Sequence, residues 1–139
     1  MKHKMSKFSA LLIIILLFNS CINKYVTRQN LFLDQFFSNK QIAYALNEYN
    51  SNNIIIYDED KTLIKSNKVY QSDSISIKVQ NDLPANTEFY RVHEFDLNKD
   101  LSYVALTTSD RQKGILFFMK KKAGSNKWFL VSFSKKYIR

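Results

Sequence analysis

The sequence predicts an α+β domain, with an N-terminal helix or helix pair followed by an antiparallel meander sheet. Three observations predict it. Between Asn30 and Tyr49 the apolar residues recur at helical spacing. From Asn53 onward the period changes to two, in short runs rich in β-branched and aromatic residues parted by polar turns. Pro84 is the only proline, and Gly114 and Gly124 are the only glycines, so no linker divides the region.

The chain opens on an export signal. Lys2, Lys4 and Lys7 precede an apolar run from Phe8 to Phe18 that stops at Asn19-Ser20-Cys21, and the run is shorter than the roughly 20 apolar residues needed to span a bilayer. Cys21 is the only cysteine and stands where the apolar run ends. With Ser20 before it, the segment resembles the signal of a bacterial lipoprotein. It departs in having Phe18 at the minus-three place, with Leu17 one position early. The resemblance implies that residues 1–20 are removed, that the Cys21 thiol takes a diacylglyceryl group, and that the new amino end is acylated, commonly with palmitate. At about 0.8 kcal/mol per buried methylene, several long chains make release from a membrane negligible. The alternatives are an ordinary cleaved signal, which wants small residues at minus-three and minus-one, and an uncleaved anchor, which needs a longer apolar run. Residues 21–29 are then the lipidated cysteine and a tether, and residues 30–139 a single α+β domain. Because Cys21 is consumed by lipid, no disulfide forms in the mature chain, and stability has to come from burying its many aromatic residues.

Asn30 is placed to cap the first helix, with Leu33, Phe36 and Phe37 on one face. Ser38 and Gln41 form a capping-box pattern for a second start, followed by a stripe of Ile42, Ala45, Leu46 and Tyr49. Asn50-Ser51-Asn52-Asn53 ends it. One kinked helix and two short ones fit equally. Strands are expected near Ile54–Tyr57, Thr62–Lys65, Ser74–Gln80, Glu88–Phe95, Leu101–Thr108, Ile115–Lys121 and Trp128–Phe133. In Ser74–Gln80 the faces separate, Ile75, Ile77 and Val79 against Ser76, Lys78 and Gln80, so one face is wet. The last two strands are apolar on both faces. They are either central strands or meet something outside the fold. The order of helix then curled sheet is similar to the cystatin-like or nuclear transport factor 2-like arrangement. A small open β-barrel is the alternative.

Charge divides the chain at Asp110, the last acidic residue. Every ionic side chain beyond it is basic, so the net +9 is a C-terminal property. Clustered like charge raises the local potential and speeds encounter with acidic partners; flanking a turn, it also discourages strand-to-strand aggregation. Lys120, Lys121, Lys122, Lys127 and Trp128 form the candidate binding surface. Nucleic acid is not an expected partner of an exported, tethered chain.

Catalytic chemistry finds little purchase. His93 is the one histidine beyond the signal, and strand alternation sends it and Glu94 to opposite faces. No second histidine or free cysteine accompanies it for a zinc site or a Cys-His nucleophile. Asp96, Asn98 and Asp100 imitate the opening of a calcium loop, but Leu101 and Thr107 stand where glycine and a bidentate glutamate are required. The expectation is therefore no enzyme, no metal and no cofactor. The chain reads as an envelope protein held in the membrane by lipid on Cys21. Its domain binds a protein within a secretion, surface-organelle, envelope-assembly or toxin-immunity assembly. The alternative is a periplasmic carrier of an apolar or lipid-like ligand, lined by Phe117, Phe118, Trp128 and Phe129. Residues Ile22-Asn23-Lys24 include no acidic run, which by resemblance favours the periplasmic face of the outer membrane. Cys21→Ser is expected to abolish labelling by a fatty-acid probe and to release the protein from membranes or leave it unprocessed. Unchanged labelling ends the lipoprotein reading.

Overall fold

A computed structural model describes residues 22–49 and 53–137, so Cys21 and its predicted signal lie outside the described residues. The chain divides into two units at Leu31/Phe32. In the first, residues 22–31 are helical, with the Thr27 hydroxyl donating to the Asn23 carbonyl one turn back at 2.8 Å. The stretch read as a tether is thus helix, and Asn30 sits inside it rather than capping its start. No glycine or proline from Ile22 onward opposes the helix.

In the second unit, the helical residues 32–37, labelled with 22–31 as α1, end at Ser38, and helix α2 runs Lys40–Asn47. There are two helices, not one kinked one. The α2 cap is Asn39 instead of Ser38. Asn39 has extended backbone, φ −74° and ψ 120°, and its side chain accepts from the Gln41 and Ile42 amides. Ser38 is committed elsewhere: its N–H closes α1 onto the Asp34 carbonyl, and its own carbonyl accepts from the Ser72 hydroxyl.

Phe32, Leu33, Phe36 and Phe37 from α1 and Ile42, Ala43, Ala45 and Leu46 from α2 are all buried. They pack against one face of a seven-stranded sheet. Aromatic edges fix the layer. Phe32 meets Trp128 at 5.0 Å and Phe36 meets Phe117 at 5.4 Å, both edge-on. Each buried phenylalanine contributes about 1.5–3 kcal/mol by leaving water. The Tyr90 hydroxyl, buried, donates to the Leu46 carbonyl at 2.6 Å and satisfies the end of α2. Burial pushes that hydroxyl well above the usual tyrosine range.

The strands are β1 Asn53–Tyr57, β2 Lys68–Ser72, β3 Ile75–Gln80, β4 Tyr90–Leu97, β5 Leu101–Thr108, β6 Lys113–Lys121 and β7 Trp128–Tyr137. Their order across the sheet is β2-β3-β1-β4-β5-β6-β7. The sheet is open and curled, as the α+β expectation requires, but it is mixed rather than an antiparallel meander. β1 lies inside and runs parallel to β3 and to β4, while β4 to β7 form the expected antiparallel succession. A strand with neighbours on both edges is shielded along its length. Ile54, Ile56 and Tyr57 are accordingly buried and Ile55 half-buried.

The expected strand Thr62–Lys65 is a loop, and the reason is Asp58. This carboxylate is fully buried. It accepts from the Thr62 amide and hydroxyl, each at 2.9 Å, and from the Leu63 and Ile64 amides at 2.8 and 2.9 Å. Those amides are then unavailable to a strand ladder, and the Leu63 and Ile64 side chains turn into the core. The second strand forms later, at Lys68–Ser72, paired antiparallel with β3. Asp58→Ala orphans the buried Leu63 and Ile64 amides, each costing about 1–3 kcal/mol, and also releases the Thr62 donors. A loss of about 3–5 kcal/mol of stability is expected in denaturant melts. An unshifted midpoint removes Asp58 as the organiser of this loop.

Candidate functional site

The side chains of β5 and β6 that turn away from the helices form a partly open apolar face. Tyr103 lies opposite Phe118, Ala105 opposite Leu116 and Thr107 opposite Gly114, and the Tyr103 and Phe118 rings are 6.4 Å apart. A depression of about 400 Å³ runs along these residues, with His93 and Glu94 of β4 and Lys136 of β7 among its lining. Its floor is sheet, and Phe118 remains 44% exposed. The ladder slips between Val92 and Glu94, so β4 spends one extra residue there. That bulge breaks strict alternation, and His93 and Glu94 line the same depression instead of opposite faces. Among the described residues no group of three or more His, Cys, Asp or Glu could hold a metal ion, and no helix is long and apolar enough to cross a membrane.

Glu94 also holds Tyr103. Accepting from the phenol and adding its negative charge, the carboxylate pushes the Tyr103 hydroxyl up to about 12. Arg91, one strand position from the bulge, lies over Tyr57 at 5.3 Å and Phe89 at 5.1 Å, and pairs with Glu59 at 3.6 Å. Tyr57, Glu59 and Arg91, with Asp60, His93 and Arg111, border a second hollow of about 350 Å³.

The basic cluster is at the β6–β7 hairpin. Lys99, Lys120, Lys121 and Lys122 surround a hollow of about 590 Å³ whose only acid is Asp100. The tip is tight. The Lys122 amide donates to the Lys127 carbonyl at 2.8 Å and the Ser125 amide to the Lys122 carbonyl at 3.1 Å, and Gly124, at φ 69°, takes the left-handed position. Gln35 of α1 fastens this hairpin at two points: it donates to the Asn126 carbonyl at 2.9 Å and accepts from the Trp128 amide at 2.8 Å. Neighbouring Asp96, Asn98 and Asp100 form the β4–β5 turn, with Asn98 donating to the Asp96 carboxylate.

The proposed surface is therefore brought together only in part. Lys120, Lys122 and Lys127 are exposed and Lys121 half-exposed, while Trp128 points into the core and keeps 8% of its surface. Its neighbour Phe129, 46% exposed, takes the outward place. The residues suggested to line a carrier cavity split the same way, Phe117 and Trp128 inward, Phe118 and Phe129 outward, so no single cavity holds all four. For Phe117 and Phe118 the signal was alternation along β6 from Ile115.

Along β7, Val131 and Phe133 are 56% and 43% exposed, Phe133 on the helix-facing side opposite Phe117. β7 is an edge strand, rather than a central one covered on both faces. No protein-family model, no characterised protein and no solved structure matches the chain.

Glu94→Gln removes the charge that holds the Tyr103 proton, so that phenol is expected to titrate closer to its ordinary range of about 10. The neutral phenol is the donor. Its contribution is complete below about pH 10 and is lost as pH rises through about 12. Tyrosinate absorbance, with Tyr103→Phe identifying the band, checks both statements. An identical titration in Glu94→Gln refutes the pairing.

Proposed function

We propose that this chain is a lipid-anchored bacterial envelope protein, held through Cys21 on the periplasmic face of the outer membrane, whose domain is a non-catalytic protein-binding or scaffolding component of a membrane-associated assembly. The observation that carries the reading is the surface of the last two strands. Phe118, Phe129 and Val131 are each between 44% and 56% exposed, close in the ladder to Lys120 and Lys121, and no acid follows Asp110. Apolar side chains left in water beside clustered charge of one sign mark a contact surface better than either feature alone. The order of two helices before a curled sheet supports a cystatin-like or nuclear transport factor 2-like arrangement. The second reading, a carrier, draws on the ligand-sized apolar depression beside Tyr103, Leu116 and Phe118.

Reversing Lys120, Lys121 and Lys122 to Glu leaves the fold intact, because exposed charge changes move stability by less than about 0.5 kcal/mol each. Recovery of partners from detergent-solubilised envelopes is expected to fall in the variant. In the wild type it should weaken as salt rises, since exposed charges are screened beyond about 8 Å at physiological ionic strength. The same partners in the same amounts from both proteins refute a basic docking surface.

A further inference from the structure

Resting on the protein-binding reading, we infer that β7 takes an extended acidic segment of its partner as an eighth strand. The sheet ends on β7, which pairs only with β6 among the described residues and runs ten residues, Trp128–Tyr137. Its other edge therefore presents main-chain donors and acceptors to solvent, in two runs parted at Val131, where the ladder with β6 slips and sets Phe129 and Phe133 on opposite faces. The opposite edge strand, β2, has five residues, and shortness is itself a protection against pairing. At the start of β7 the Trp128 amide is already taken by Gln35, so the open stretch begins at Phe129. From there to Ser134 no residue is charged.

The exposed side chains fit a strand and no other occupant. Phe133 is paired with buried Phe117, its ring 6.0 Å away, on the helix-facing side. Phe129 is paired with Lys120 on the opposite side. Both stay nearly half exposed because nothing lies beyond β7 to cover them. A strand laid alongside covers Phe133 with its residues of one parity and Phe129 with those of the other. A bilayer surface is planar and reaches only one of the two faces. A second copy brings its own wholly basic stretch after Asp110 against this one. Lys127 lies just before the open stretch and Lys136 just after it, and Lys135 is already paired with Glu48. An incoming segment that alternates apolar and small polar residues and carries Asp or Glu near its ends meets both the edge and the charge.

The full chain in detergent, offered a displayed library of random linear peptides of about twelve residues, tests this. Enriched peptides are expected to be acidic with apolar residues at every second place. They should slow amide exchange within residues 129–136 about tenfold and lose about tenfold in affinity when alternate peptide nitrogens are methylated. Phe129→Ser and Phe133→Ser should each weaken them about tenfold, and Val69→Ser on β2 should not. No enrichment, protection at β2 or at the Tyr103–Phe118 depression, or indifference to methylation overturns strand addition. So does displacement by phosphatidylglycerol vesicles with the same β7 protection, or a peptide-free dimer that already protects β7. If strand addition fails while the Lys120, Lys121 and Lys122 reversal still loses partners, only the mode falls. If that reversal also changes nothing, the protein-binding reading falls with it.

Discussion

One buried carboxylate sets the architecture of the sheet. Asp58 stands at the end of β1, and its backbone and side chain are both engaged. Its N–H donates to the Gln80 carbonyl at the end of β3, and its carbonyl accepts from the Asn81 side chain. That same Asn81 amide group also reaches the Ile64 carbonyl. The ends of β1 and β3 and the loop between β1 and β2 thus meet at one polar knot inside an apolar surround. A carboxylate without a cation is costly to bury, and here it is compensated by three amides and a hydroxyl, each bond to a charged acceptor stronger than a neutral one. The parallel pairing of β1 with β3 follows from this knot. It gives the chain a compact way to leave β1, turn through Leu63 and Ile64, and return through β2 so that β3 runs beside β1.

The two ends of the sheet are treated differently. At β2, Lys68 reaches Asp34 of α1 and stands over Tyr70, whose ring lies against Phe37, so that edge is folded into the helix layer. At the other end the helix layer reaches the inner face of β7 through Trp128, and through Lys135 with Glu48. Between those two supports the inner face at Phe133 lacks full cover. An open edge that is long, uncharged in its middle and bounded by lysines is compatible with solubility and with selective pairing alike.

Much of this was legible from the residues. Leu33, Phe36, Phe37, Ile42 and Leu46 announce the helical faces because a 3.6-residue period cannot be imitated by a strand, and Leu101–Thr108 is found where alternation and flanking turns put it. What escaped has physical causes. Ile54-Ile55-Ile56-Tyr57 is continuous rather than alternating, the mark of a strand covered on both faces, but four residues are too few to separate that from a short edge run. Leu63 and Ile64 look like a strand because they are β-prone and buried, while the force that holds them comes from a side chain five and six residues earlier. At the candidate site the lysines were plain from charge alone. The outward place of Phe129 beside the inward Trp128 needed strand parity, and the shared depression of His93 and Glu94 needed a bulge, which leaves no residue signature in this stretch.

The inner position of β1 sets the order in which the molecule can assemble. The strand that comes first in the chain must find partners at Ser76–Gln80 and Tyr90–Arg91, and parallel pairs cannot be closed by a tight turn. Synthesis delivers the amino end first, so the helices and β1 emerge with their apolar faces bare until Arg91, about 34 residues beyond Tyr57, has followed. The hairpins from β4 to β7, by contrast, close locally and quickly. Completion of the sheet is therefore governed by a late, long-range docking step around β1, and a holding chaperone would act on the amino-terminal half of the chain, before the carboxy-terminal hairpins have any need of it.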